Sequence, residues 1–261
     1  MDRYGRWNTL LEILADDGRI SVEEAAERLA VSQATVRRDF DQLAQQQMIT
    51  RTRGGAVANT VSYDLPLRYK SAKHAGEKQR VGQAAAAMVT PGLVVGMNGG
   101  TTTTEVARAL ATRPDLVSNT DGSALTIVTN ALNIANELIV RPHVKIVVTG
   151  GVIRPQSFEL IGPLATGVLR ELTLDIAFLG VDAVDVTLGA AAHHEGEAAI
   201  NGLMAARARR VVVLADSSKL GKHAFARICP VDRIETLITD NGASDEVIAP
   251  FAEVGVTITR V

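Results

Sequence analysis

Apolar residues recur at helical spacing over the first fifty positions, and in short unbroken runs after residue 90. Trp7, Leu10, Leu11 and Leu14 mark one face of a first helix, which Gly18 ends. Ser21 and Glu24 form the S-x-x-E pattern of a capping box, opening a second helix with Val22, Ala25, Ala26 and Leu29 on its inner face. A short turn at Ala30-Val31 leads to Ser32, the expected cap of a third helix carrying Val36, Phe40 and Leu43 inward. Residues 48–53 then read as a strand, Gly54-Gly55 as a turn and Ala56-Val57 as the returning strand. Three helices and a hairpin describe a winged helix-turn-helix.

Residues 59–75 are polar, mixed in charge and contain Pro66, so they read as a linker. Beyond it, apolar runs of strand length stand at 93–97, 125–128, 144–148, 176–179, 211–214 and 237–239. Ala-rich helical stretches at 103–110, 131–138 and 197–209 lie between several of them. Continuous apolar strands alternating with helices predict an α/β domain whose sheet is largely parallel and covered on both faces. The expected division is 1–58 for the reader, 59–75 for the linker and 76–261 for the second domain.

Composition narrows the picture without naming a function. The 261 residues are 46% hydrophobic and 21% charged, enough for real cores. No apolar stretch approaches the roughly 20 residues a spanning helix requires, and the N-terminus lacks a signal-peptide core. The lone Cys229 precludes an internal disulfide, and the adjacent His193 and His194 point apart, so no metal site is expected. A protein of the cytoplasm follows. The net charge of −2 is a poor omen for nucleic acid, yet charge is unevenly spread. Residues 33–60 carry Arg37, Arg38, Arg51 and Arg53 against Asp39 and Asp41, while the acids of residues 12–27 lie on the earlier helices.

The third helix carries the expected reading chemistry. The N-terminal residues of a recognition helix meet base edges in the major groove. Gln33 suits adenine and Arg37 and Arg38 suit guanine, while Ser32 and Thr35 serve bases or phosphates. Arg51 and Arg53 flank the wing turn, within reach of backbone or minor groove.

A second chemistry sits after the strand at 93–97. Asn98, Gly99, Gly100, Thr101, Thr102 and Thr103 join that strand to a helix. Glycines let backbone N–H groups approach an anion, and the helix N-terminus and hydroxyls add to the attraction. The loop is neither a Walker A motif nor a dinucleotide fingerprint. Thr129 and Asn130, Gly150 and Gly151, Asp182 and Lys219 end or follow other strands, and ligands of open α/β sheets bind at that edge. Lys219 suits the anion; Asp182 and Glu197 suit the hydroxyls or amine of a polyol.

Arg6-x3-Leu10-x3-Leu14, then 17 residues on Ser32-x2-Thr35-Val-Arg-Arg-Asp-Phe40, then Gly54-Gly55-Ala56, resembles the DeoR family of bacterial transcriptional regulators. The Gly-Thr-Thr loop, Thr-Asn, Gly-Gly and Asp-Ser-Ser-Lys landmarks are similar to that family's C-terminal sensor, so the resemblance spans nearly the whole chain. It implies a sensor similar in fold to ribose-5-phosphate isomerase and glucosamine-6-phosphate deaminase. It also implies an operator-bound repressor of sugar catabolism genes, a dimer or tetramer, released by a phosphorylated sugar. The stretches 178–185 and 194–198 most resemble the branch that controls amino-sugar and N-acetylgalactosamine use. One departure stands out: relatives carry Lys or Arg early in the helix after Glu197, where this chain has Asn201-Gly202.

A sugar-phosphate isomerase or amino-sugar phosphate deaminase remains open as the alternative. Asp182, Glu197 and Lys219 are the kinds of acid, base and lysine such chemistry needs. The attached reading module favours a regulator, so no residue is assigned a catalytic role and no cofactor is expected.

Overall fold

Capping decides where the first helices begin. In the computed structural model, which describes residues 3–46, 48–58, 74–117 and 124–261, Ser21 Oγ accepts the Glu24 N–H at 3.0 Å and Ser32 Oγ accepts that of Thr35 at 3.2 Å. Each satisfies an N–H that the helix itself leaves unpaired. The elements of the first unit are α1 (Arg3–Asp17), β1 (Arg19–Ser21), α2 (Val22–Leu29), α3 (Gln33–Gln45), β2 (Ile49–Thr52) and β3 (Gly55–Ala58). Trp7, Leu10 and Leu14 pack with Ala25, Leu29, Val36, Phe40, Leu43 and Ile49 in one core. Each buried Leu or Phe contributes about 1.5–3 kcal/mol relative to exposure. β1 pairs with β3 and so extends the expected hairpin to three strands, in the order β1-β3-β2. Three residues are too few for a period-two pattern to reveal them.

The chain divides into two units, Met1–Lys73 and His74–Val261. Residues 59–73 of the expected linker lie outside the described residues. Its last two, His74 and Ala75, are the N-cap and first residue of α4 (Ala75–Ala87).

The second unit continues with β4 (Val94–Met97), α5 (Thr101–Ala111), β5 (Leu125–Thr129), α6 (Leu132–Leu138) and β6 (Val144–Val148). A ribbon of β7 (Val152–Ile153) and β8 (Leu160–Ile161) leads to α7 (Pro163–Arg170) and β9 (Leu174–Gly180). Then come β10 (Ala183–Asp185), β11 (Gly189–Ala192), α8 (Glu195–Arg207), β12 (Ala208–Leu214), β13 (Ala226–Cys229), β14 (Thr236–Thr239), α9 (Asp245–Glu253) and β15 (Thr257–Arg260).

Seven strands form one parallel sheet in the order β15-β14-β12-β9-β4-β5-β6. Alternate residues face opposite ways: Val95, Met97, Ile127, Ile176, Phe178 and Val212 pack toward α4, α5 and α6. Ala177, Leu179, Val211, Val213 and Leu237 pack toward α7, α8 and α9. Both faces are covered, which is why these strands read as unbroken apolar runs.

Two local expectations change. The helical stretch expected over 197–209 ends at Arg207, and residues 208–210 open β12, in register with β9. By intrinsic propensity Gly202 weakens its helix by about 1 kcal/mol relative to Ala. A Cβ there would stand 2.7 Å from the Ile228 carbonyl oxygen, so glycine is what lets α8 approach β13. Cys229 is buried in the core, and burial pushes its thiol up to about 11.

Candidate nucleic-acid interface and anion crevice

In the first unit, Val36, Asp39, Phe40 and Leu43 point α3 inward and leave Gln33, Arg37 and Arg38 exposed. Arg37 Nη2 donates to Gln33 Oε1 at 3.4 Å, so the two are neighbours one turn apart. Ser32 is exposed and Thr35 half-buried, with their hydroxyls 2.9 Å apart. Arg53 is exposed in the wing turn. Arg51 is partly committed: its Nε lies 3.1 Å from Asp41 Oδ1, and its guanidinium lies 5.6 Å from the centre of the Phe40 ring.

Asp39 does not oppose these arginines at the surface. It is 2% exposed, and its carboxylate accepts Arg6 Nε at 2.9 Å and Trp7 Nε1 at 2.9 Å. Its charge is spent inside, tying α3 to α1. The outer face of α3 is therefore more basic than a residue count suggests.

In the second unit the sheet order reverses beside β4. The chain runs from β4 outward through β5 and β6, then returns to the other side of β4 as β9. Such a switch point opens a crevice at the carboxyl ends of the strands. Asn98 clasps it: Asn98 Nδ2 donates to the Gly180 carbonyl at 2.8 Å, and Asn98 Oδ1 accepts the Gly180 N–H at 2.8 Å. Thr129 Oγ1 donates to the Met97 carbonyl at 2.6 Å and accepts the Ala131 N–H at 3.0 Å. Both side chains brace the strand ends, with their polar atoms committed to backbone.

Gly99 and Gly100 then turn the chain into α5. Gly100 is the N-cap with φ 139°, and no side chain caps the helix. Thr103 Oγ1 and Thr104 Oγ1 both donate back to the Gly100 carbonyl. Thr101 is half-buried, and the Thr102 hydroxyl is buried without a partner. Gly150 and Gly151 turn β6 into the ribbon, both at positive φ.

The remaining expected residues have firm partners. Asp182 Oδ2 accepts the His193 N–H at 2.9 Å. Lys219 Nζ donates to the Val181 carbonyl at 2.6 Å. Glu197 pairs with Arg154 at 3.1 Å, each side chain 12% exposed. His194 caps α8, its Nδ1 accepting the Gly196 N–H at 3.1 Å. Among the described residues no three His, Cys, Asp or Glu side chains gather as metal ligands.

Three residues that sequence reasoning missed, Glu159, Arg154 and Lys78, and a fourth that it noted only as a departure, Asn201, complete the crevice. Glu159, Arg154 and Asn201 form a buried polar group with Asn130 and Glu197. Glu159 Oε1 accepts the Gly99 N–H at 2.7 Å, and its Oε2 accepts Asn201 Nδ2 at 3.4 Å. Asn130 Nδ2 donates to Asn201 Oδ1 at 3.3 Å, leaving Asn130 Oδ1 buried and unpartnered. Burial, then repulsion from Glu197, pushes the Glu159 carboxyl well above the usual carboxylate range. Asn201 occupies the position where a basic residue was expected. Lys78 is buried on α4 and close enough to act on Asp216. Burial works to raise the Asp216 carboxyl, but Lys219, Ser218, His74 and Lys78 outweigh it and hold it below the usual range. A signal for Glu159 did exist: a carboxylate between Phe158 and Leu160-Ile161 is an acid set in an apolar run.

Comparison with known proteins follows the same division. Residues 6–62 match the DeoR-like helix-turn-helix domain and residues 73–241 the DeoR C terminal sensor domain. The chain is 32% identical over 259 residues to a protein of Escherichia coli O157:H7 named "Putative aga operon transcriptional repressor", covering 98% of this chain and 93% of that one. It is 30% identical over 240 residues to the glycerol-3-phosphate regulon repressor of Escherichia coli K12, covering 92% of each. The solved structure of ribose 5-phosphate isomerase a from Methanocaldococcus jannaschii covers 56% of this chain and 55% of its own, at 22% identity and a TM-score of 0.42.

Proposed function

The chain belongs to the DeoR family of transcriptional regulators, and from that premise we propose that it represses a sugar-use operon and leaves its operator when a phosphorylated sugar enters the crevice. The observation that carries this reading is the pairing, in one chain, of two distinct chemistries. One is a helix face presenting Gln33, Arg37 and Arg38; the other is an uncapped helix N-terminus behind a glycine turn.

In this reading residues 1–58 read DNA, residues 59–75 link and residues 76–261 sense and assemble. Gln33, Arg37 and Arg38 meet base edges; Ser32, Thr35, Arg51 and Arg53 hold phosphates. Gly99, Gly100 and the first-turn N–H groups of Thr101, Thr102 and Thr103 cradle the effector's phosphate. Asn98 and Thr129 keep that cradle rigid, and Gly150 and Gly151 shape its far wall. Asn130, Asp182, Glu197 and Lys219 face the sugar. Two copies read the two halves of an operator. An effector that favours the unbound form shifts the population off DNA.

We take the chain to be a regulator without enzymatic turnover. Its relatives are named as regulators, and the acids an isomerase needs are spoken for, Asp182 by His193 and Glu197 by Arg154. Among the described residues no helix is long and apolar enough to cross a membrane.

A gel-shift assay on the protein's own promoter DNA tests the first half. Arg38→Ala is expected to weaken specific binding by about 1–3 kcal/mol, the usual worth of a base contact. A thermal-shift screen with phosphorylated sugars and their unphosphorylated partners tests the second half, and should respond to the phosphorylated member alone, in the variant as in the wild type. No specific retardation at moderate salt would sink the reading. So would equal loss of DNA and effector binding in the variant.

A further inference from the structure

Glu159 stands on the donor that an effector's phosphate needs. Its backbone is pinned beside Asn130, because the Leu160 N–H donates to the Asn130 carbonyl at 2.6 Å. Phe158, just before it, is held at φ 59°, a left-handed conformation that L-residues rarely adopt. The side chain reaches from there into the β4–α5 turn and takes the Gly99 N–H at 2.7 Å. The fit is close. A Cβ on Gly99 would stand 2.6 Å from Glu159 Cγ and 2.9 Å from Oε1, so glycine at 99 is what admits the carboxyl.

We infer that Glu159 is an internal competitor for the effector's phosphate: one N–H serves one strong acceptor, so a phosphate takes the loop only by displacing this carboxyl. The inference rests on the reading of the crevice as a phosphate site. It adds a residue that sets both threshold and selectivity. A neutral sugar has nothing to exchange for the carboxyl, whereas a phosphate brings several strong acceptors and more charge to the same helix terminus.

The surroundings suit a carboxyl that is stored and then moved. The charged groups beside it are Glu197 and Arg154, which pair with each other and leave Glu159 without a cation of its own among the hydrogen bonds it accepts. Burial and the like charge of Glu197 make the carboxyl costly to hold in place, so leaving the turn relieves it. Asn201 and Asn130 favour the ionised carboxyl as side-chain donors, and burial outweighs them. Displacement would also release Asn201 on α8, which carries the exchange into a helix packed on the sheet.

The test uses the full chain and inorganic sulfate, a dianion of constant charge from acid to alkaline pH. Sulfate binding is followed at the Gly99 amide resonance in the wild type, Glu159→Ala and Glu159→Gln. Removing the carboxyl is expected to tighten sulfate binding by about tenfold, the scale of one hydrogen bond to a charged group. Glu159→Gln keeps the shape and the acceptor but never ionises. It should fold like the wild type and bind sulfate several-fold more tightly, so it carries the test if the alanine variant fails to fold. Equal or weaker binding in both variants overturns the competitor and leaves the phosphate loop standing. Absence of any sulfate response at Gly99 in all three proteins removes the loop assignment and the competitor with it.

Discussion

Two buried acids show how differently one residue type is accommodated. Asp39 lies between a guanidinium and an indole N–H, so its charge is matched where it sits. Glu159 has amide donors and a like charge nearby, and its carboxyl is pushed upward. The upward shift of Glu159 predicts how stability changes with pH. Below the ordinary value of 4.5, Glu159 is protonated whether the chain is folded or unfolded. As pH rises past 4.5 the unfolded chain releases this proton first, so the folded state loses stability until its own higher pKa is passed. Glu159→Gln removes that loss. Its stability advantage over the wild type, from urea unfolding of the second unit, should therefore be larger at pH 8 than at pH 4. A gap that stays constant with pH would contradict the placement of Glu159 as a desolvated acid.

At the scale of elements, α8 is the helix on which local and tertiary demands conflict. Gly202 lowers its intrinsic helicity by about 1 kcal/mol relative to Ala. The Ile228 carbonyl nevertheless excludes a Cβ there. Gly202→Ala should consequently destabilise the second unit by about 1–3 kcal/mol, the cost of overpacking, in place of the gain that helix propensity alone would give. Thermal unfolding of the variant decides the sign. The same helix shows where sequence legibility ends. The five inner strands of the sheet were readable because a parallel strand buried on both faces is an unbroken apolar run. The reading helix was readable because Ser21 and Ser32 announce their caps. The ribbon of β7 and β8 was not, since two-residue strands carry no period, and Glu159 and Arg154 ride on it. Asn98 and Thr129 were legible as residues of the crevice, but their work as braces was not, because it depends on which strand lies beside β4. The departure at Asn201 likewise became intelligible only once Asn130 and Glu159 stood next to it.

For the whole molecule, each unit encloses its own core, one built around Phe40 and Leu43 and the other around the seven-stranded sheet. Calorimetry should resolve two transitions. Specific operator DNA is expected to raise only the one belonging to the first unit, and a phosphorylated effector only the other, since a ligand stabilises the structure that binds it. A single transition moved equally by both ligands would speak against two separately stabilised units. The sheet order carries a last consequence, for the protein as it is being made. The clasp between Asn98 and Gly180 spans 82 residues of sequence, and β4 acquires its neighbour β9 only after β5, β6 and the ribbon have been synthesised. The described elements of the first unit end at residue 58, so a chain leaving the ribosome can fold them well before both neighbours of β4 are made. Every new chain thus passes through an interval in which its first unit can be folded while its seven-stranded sheet is not.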